Sequence, residues 1–449
     1  MTLRNKATSI RLADFSSVPM RAFHMSWFAF FICFFGWFGL APLMPVIRQE
    51  LHLTKAQIGN LTIASVLITV VVRALIGFLC DRIGPRRAYT WLLVLGSLPV
   101  MGVGLAHNYQ TFLLFRLAIG AIGASFVITQ YHTSVMFAPN IVGTANAAAA
   151  GWGNLGGGVT QMVMPLLFAG FVGLGAGQWW GWRMAMFIPG VVMLITGIAY
   201  FYLTQDTADG DFATLRAQAE ITGASASSTA RGAFAAACRD PRVWALFVIY
   251  AACFGMELTI DNIAALYFTD NFHLGLTAAG FVAGSFGMMN IFARALGGIV
   301  SDRCHKGWGL RGRVLLLGGT IFCEGLALML FSQMRWLPLA IGTMMLTGLF
   351  IKMSNGATYA VVPFVNRKAL GAVAGIVGAG GNVGSVLAGF LFKGSMPWTQ
   401  ALLCLGAVVT VISVFSVMVR FSEAEEDSAE REIASRLSGE MGMAAAMGD

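Results

Sequence analysis

The sequence predicts an all-α membrane protein whose twelve transmembrane helices form two pseudo-symmetric six-helix bundles. Three observations carry that expectation: a composition too apolar for water, twelve apolar runs of spanning length, and a charged motif that recurs once in each half. Of 449 residues, 57% are hydrophobic and 11% charged, with a mean hydropathy of +0.73. A water-soluble chain carries about a quarter charged residues, so most of this one belongs in lipid. The net charge is +8, but residues 421–449 hold eight acids against Arg431 and Arg436, which leaves the rest of the chain at +14. In a membrane protein such an excess sets orientation and does not call for a nucleic-acid partner.

The runs lie at about 27–47, 56–80, 88–106, 110–136, 143–172, 184–204, 243–268, 276–300, 311–332, 336–361, 370–391 and 396–420. Each is long enough for a bilayer core of about 30 Å. With the N-terminus in the cytoplasm, the inner segments hold 20 Lys and Arg. The outer loops hold Arg48, Lys55, Arg183, Arg335 and Lys393, and the spans hold Arg73, Arg116, Arg294 and Lys352. That bias predicts a multi-pass protein of the inner (plasma) membrane with both termini cytoplasmic. Residues 1–26 are polar and basic, without the short apolar region and small-residue site of a cleavable signal. The expected organisation is a cytoplasmic N-terminal segment (1–26), a six-helix bundle (27–204), a polar cytoplasmic linker (205–242) rich in Ala, Ser, Thr, Asp and Arg, a second bundle (243–420) and an acidic cytoplasmic tail (421–449).

The recurring motif is RALIGFLCDR at 73–82 and RALGGIVSDR at 294–303. Each copy sets an arginine eight residues before an aspartate, about 12 Å along a helix, which puts Arg73 and Arg294 near mid-membrane. A cation there is costly and a functional role is the default hypothesis. Two equivalent helices would bring both guanidinium groups to one central cavity, a site for a small anion. Gly77–Arg87, GFLCDRIGPRR, offers Gly77 and Gly84 for close helix approach and Asp81, Arg82, Arg86 and Arg87 for inter-helix ion pairs or headgroup anchoring. Asp302 and Arg303 are its echo.

A second duplication joins the fifth and eleventh spans: AGWGNLGGGVTQ (150–161) and AGGNVGSVLAG (379–389) share Gly-Asn-x-Gly, with Asn154 and Asn382 as counterparts. Glycines at this spacing make a smooth face for another backbone, whether for packing alone or for sliding. An amide at bilayer depth needs a partner, and each asparagine is a candidate anion donor. In the seventh span Tyr250, Phe254, Glu257 and Asp261 share one helix face. The aromatics suit a cavity wall or plain core. The carboxylates suit proton carriage or fixed counter-ions for Arg116, Arg294 or Lys352, and the pattern does not choose. Arg116 reads as structural, and His132, Glu324, Lys352 and Asn355 as satisfied inter-helix hydrogen-bonders. The seven cysteines are scattered without paired spacing, so neither a metal nor another cofactor is expected. No nucleophile–base constellation suggests an enzyme.

Taken together, these stretches resemble the nitrate/nitrite porter family of the major facilitator superfamily, particularly its high-affinity nitrate transporter branch. Its most specific parts are MRAFHMSWFAFF (20–31), the two glycine-asparagine segments, GMELTIDNIAALYF (255–268) and NIFARALGGIVSD (290–302). The resemblance implies the major facilitator fold, with substrate arginines at Arg73 and Arg294, binding aromatics at Phe126, Tyr250 and Phe254, and the signature asparagine at Asn154. It also implies a monomeric carrier in the lipid bilayer that takes nitrate or nitrite and, in this branch, protons. Gly378 stands where bacterial members carry a serine, and SNGATY (354–359) looks more like the bacterial porters than the plant branch. Symport with a proton, nitrate/nitrite exchange, and transport of another small anion therefore all remain open.

Overall fold

The structure, a computed structural model, describes residues 5–138, 141–215, 230–366 and 370–427. Most of the acidic tail and residues 216–229 of the linker thus lie outside the described residues. The described residues are predominantly helical, with two isolated bridges as the sole β pairing among them. Ten helical stretches are long and apolar enough to cross a membrane. Two of them, Thr144–Leu203 and Leu276–Ser332, are each long enough for two crossings. They are broken where Gly175 and Gly177, and then Trp308 and Gly309, leave helical geometry, which brings the crossings to twelve.

In chain order the first six are α1 (Val18–Phe38), α2 (Lys55–Ile83), α3 (Pro85–Leu105), α4 (Tyr109–Met136), α5 (Val142–Phe171) and α6 (Gly177–Leu203). The second six are α7 (Pro241–Phe272), α8 (276–307), α9 (310–332), α10 (Leu337–Val365), α11 (Leu370–Lys393) and α12 (Trp398–Met418). Local chemistry starts several of them. Thr54 and Gln57 form a capping box on α2, Asn108 and Thr111 do the same for α4, and Asp240 caps α7 ahead of Pro241.

Two boundaries differ from the sequence expectation. Helix α1 starts at Val18, well before the apolar run at 27. Met20, Ala22 and Phe23 are buried against Met136, Phe137 and Ala145, while the exposed Arg21 between them lowers the local hydropathy. Residues 205–215, the start of the expected polar linker, pack under the first bundle. Asp206 accepts the backbone N–H groups of Arg86 and Phe212, each at 3.0 Å, and Asp211 pairs with Arg86 at 2.9 Å. Burial pushes the Asp206 carboxyl above its usual value. The carboxylate lies against Gly84, whose φ of +87° marks the tight turn between α2 and α3; a Cβ there would collide with it.

The halves meet most closely at the end away from the termini, where α2 packs on α11 and α5 on α8. Arg48 grips Asp270 through two bonds of 2.5 and 2.6 Å, and Lys55 donates to the Met396 carbonyl. Gly158 and Gly287 bring two backbones together so closely that a Cβ on Gly158 would sit 2.7 Å from the Gly287 carbonyl carbon. At the opposite end Gly77 and Gly298 face open space. The close helix approach expected at Gly77 is therefore not made here, because the halves converge at the other end.

Candidate functional site

Helices α2 and α8 carry Arg73 and Arg294 to one small, tight cavity lined by Arg73, Phe126, Asn154, Tyr250, Phe254, Arg294 and Gly378. Six of these seven were singled out from the sequence as binding candidates; the seventh, Gly378, was marked as a departure. Arg73 is buried, its Nη1 donating to the Gly378 carbonyl at 3.2 Å and its Nη2 to the Gly123 carbonyl at 3.4 Å. A side chain at Gly378 would point instead toward the Tyr359 hydroxyl, 3.1 Å from where its Cβ would stand. Both bonds are long, the Nε has no partner, and Arg73 forms no ion pair among the described residues. Its Cζ lies 5.5 Å from the centre of the Phe126 ring.

Arg294 mirrors this with Phe254, at 5.7 Å, and donates to the Tyr250 hydroxyl at 3.5 Å. Tyr250 and Phe254 stack, with centroids 5.2 Å apart and planes 11° from parallel. The site thus has two like cations, each backed by a ring, one from each half. Asn154 projects into it with both amide atoms unpartnered. In hydrocarbon such groups are costly, and an ion with several acceptor oxygens would satisfy the donors together.

Asn382 does not join it. Its amide nitrogen folds back on the Gly378 carbonyl of its own helix at 3.4 Å, and it does not line the cavity, because α11 offers Gly378 there instead.

The two buried carboxylates of α7 have unlike surroundings. Glu257 accepts from Lys352 at 2.8 Å, Asn290 at 2.8 Å and Asn355 at 2.6 Å, and Arg294 approaches to 3.8 Å. It is a fully partnered counter-ion that also steadies Arg294. Asp261 is buried, with Oδ1 unpartnered. Sequence reasoning offered Lys352 as one possible partner of the α7 carboxylates and Asn355 as a hydrogen-bonder, without joining the two at Glu257. Asn290 was visible inside NIFARALGGIVSD but carried no distinguishing signal. Tyr359, 5.2 Å from Tyr250 ring to ring, was missed as well; it lies in the SNGATY segment. Glu324, expected to be satisfied, is buried on α9 beside Ser354 of α10.

Arg116 is structural in the sense expected. It donates to the Trp37 carbonyl at 2.8 Å and, across the halves, to Asn262 Oδ1 at 2.6 Å. In the terminal motifs, Arg86 pairs with the linker acid Asp211, and Asp302 pairs with Arg313 at 2.7 Å. Arg82 lies beside the Phe78 ring, while Arg87 and Arg303 are exposed. The Asp81 side chain lies outside the described part of the structure.

Comparison with known proteins agrees with this architecture. The family model described as "Major Facilitator Superfamily" matches residues 26–366 and 262–442. High affinity nitrate transporter 2.5 of Arabidopsis thaliana is 41% identical over 397 residues, spanning 87% of this chain and 77% of its own. High-affinity nitrate transporter 2.3 of Oryza sativa subsp. japonica is 39% identical, spanning 86% and 74%. The nitrate/nitrite transporter NrtP of Nostoc punctiforme is 28% identical, spanning 82% and 85%. Among solved structures, a bacterial homologue of the human lysosomal transporter Spinster superposes with a TM-score of 0.69 at 14% identity, covering 90% of this chain and 99% of that one. The nucleoside transporter NupG gives 0.63 at 16%, covering 90% and 100%. At such identities these two speak for the fold alone. The chain is a multi-pass membrane protein that belongs to the major facilitator superfamily, a family of transporters and not of enzymes, and within it to the nitrate/nitrite porter family.

Proposed function

We propose that this protein is a secondary active transporter that carries nitrate, and nitrite with it, across the cytoplasmic membrane as a monomer with both termini inside. In this reading the bundles at 27–204 and 243–420 are the two moving halves, and the end bearing Arg48 and Asp270 faces outward. The observation that carries the reading is the pair of ring-backed arginines from opposite halves around one small cavity.

Nitrate is a flat, weakly hydrated monoanion with three acceptor oxygens, and a guanidinium is a planar fork able to hold two of them. Without an anion, closing the halves buries two like charges beside each other. With one, repulsion becomes two charge-assisted contacts, so substrate favours the closed arrangement over either open one, as alternating access requires. Flat rings beside the cations favour a planar ion over tetrahedral sulfate or phosphate.

Proton symport is the coupling we favour. Glu257 is held by three donors and serves as a fixed counter-ion, and Asp270 is tied to Arg48, which leaves Asp261 as the acid of α7 free to titrate. Were Asp261 also fixed, nitrate/nitrite exchange would be the natural mode, and the firm binding of Glu257 gives that reading its support. The test is uptake and counterflow of nitrate and nitrite by purified protein in liposomes at imposed pH gradients. Counterflow of nitrate, inhibited by nitrite and not by sulfate, is the expected result; no counterflow in sealed vesicles would reduce the protein to a binder. Alkalinisation accompanying uptake without a trans anion marks symport, and uptake without it excludes symport.

A further inference from the structure

Asp261 stands out among the buried acids because it lies where the halves meet. Its Oδ2 lies 3.7 Å from where a Cβ on Gly157 of α5 would stand, and its backbone carbonyl accepts from Gln161 of the same helix at 2.6 Å. It is 6% exposed, and Oδ1 has no hydrogen-bond partner. The charged groups around it are engaged elsewhere. Glu257, one turn away on α7, and Lys352 of α10 bind each other, and Arg116 of α4 is held by Trp37 and Asn262. Helices α1 and α5 bring Phe34, Phe38, Gly157 and Gln161 to this junction, none of them titratable. An ionised carboxylate sealed there would have no hydrogen-bond donor, and the cation that reaches it, Lys352, is already bound by Glu257, whereas a carboxylic acid is tolerated.

Resting on the nitrate-symport reading above, we propose that Asp261 is the transported proton's carrier and that closure of the outer end over nitrate is what loads it. With the outer end open, the α5–α7 junction is wet and Asp261 is a hydrated carboxylate. Closing dehydrates it, so closure takes one proton from the outer solution onto a carboxylate oxygen. The same proton leaves as the carboxyl O–H bond breaks, passing to water that enters from the inner side. Departure of nitrate drives that step. Phe254 stands seven residues from Asp261 on the same helix face, about 10 Å of rise. Each arginine charge uncovered at about that distance lowers the proton's affinity by on the order of tenfold at an effective dielectric near 20. Anion and proton therefore bind and leave together, and Glu257 stays ionised throughout.

The experiment compares wild type, Asp261→Asn and Glu324→Gln in proteoliposomes, measuring nitrate accumulation driven by an inward proton gradient and isotopic nitrate counterflow at equal pH. Asn copies the shape and neutrality of the protonated acid. Asp261→Asn is expected to lose gradient-driven accumulation by at least about tenfold while keeping counterflow within about threefold. Glu324→Gln, an acid buried away from the halves' junction, should keep both. Wild-type-like accumulation by Asp261→Asn overturns the proposal, as does joint loss of accumulation and counterflow in a monodisperse protein. If Asp261→Asn is not obtained monodisperse, Asp261→Ser, also neutral and smaller, is held to the same two criteria. A wild type without counterflow sinks the transport reading, and one with counterflow but no response to the gradient sinks symport; both failures are distinct from failure of Asp261 as carrier.

Discussion

Replacing Arg73 with lysine keeps the charge and removes the fork. The guanidinium carries five N–H donors; two go to the Gly378 and Gly123 carbonyls at 3.2 and 3.4 Å, which leaves enough for a two-point hold on a planar anion. A lysine ammonium has three donors, and once it satisfies the same two carbonyls a single one remains. The variant therefore forfeits one charge-assisted hydrogen bond, about 1.5–3 kcal/mol, and nitrate should bind roughly 10- to 150-fold more weakly. Calorimetric titration of nitrate into purified Arg73→Lys, with the half-saturation of counterflow as a second reading, measures this. The variant should insert and remain monodisperse, because Arg73 forms no ion pair on which folding depends. A dissociation constant within about threefold of wild type would refute bidentate holding. Arg294→Lys should lose affinity to a similar degree.

Three further outcomes follow from the same geometry. Asn154→Ala removes an amide whose two polar atoms have no protein partner, so nitrate affinity should fall by about one hydrogen bond, roughly 1 kcal/mol, with thermal stability unchanged in calorimetry. Glu257→Gln leaves Lys352 buried without its anion, a loss of about 3–5 kcal/mol seen as a lower melting temperature; adding Lys352→Met should recover much of it. Gly158→Val sets a side chain against the Gly287 backbone and should trap the outer end open. Nitrate should still bind in detergent, while counterflow falls by more than tenfold.

The sequence carried the global fold because hydrocarbon imposes its rules locally: each span must be apolar and about as long as the bilayer is thick. The break between α8 and α9 was visible as a charged stretch around Asp302 and Arg303, although the helical path continues almost through it. The start of α1 at Val18 was not visible, since Arg21 interrupts a face that is buried on its other side. At the site, duplication made Arg73 and Arg294 legible without coordinates. Duplication also misled: Asn154 and Asn382 share a motif, yet Asn154 enters the cavity and Asn382 turns to its own helix. Two halves of common plan need not use their equivalent residues alike. The partners of Glu257 come from α8 and α10, far apart in sequence, and no periodicity on one helix reports such a convergence.

In the cycle proposed above, helix α7 gathers the working parts on one face, and their order along it is the argument for how they would act. Tyr250 and Phe254 stack beside the cavity, Glu257 comes next with its three donors, and Asp261 follows at the junction with α5. A carboxylate next to the anion site that could lose its charge would release its grip on Arg294 and Lys352 each cycle; Glu257 is held too firmly for that. A carboxylate at the moving junction, by contrast, changes its hydration whenever the halves part, while its neighbours on α7 keep their partners. In that proposal, placing the fixed charge beside the anion and the changeable one at the gate would separate holding from coupling. It also explains why one helix face carries two acids with unlike surroundings: the anion site needs constant electrostatics, and the gate needs a group whose protonation depends on whether water can reach it.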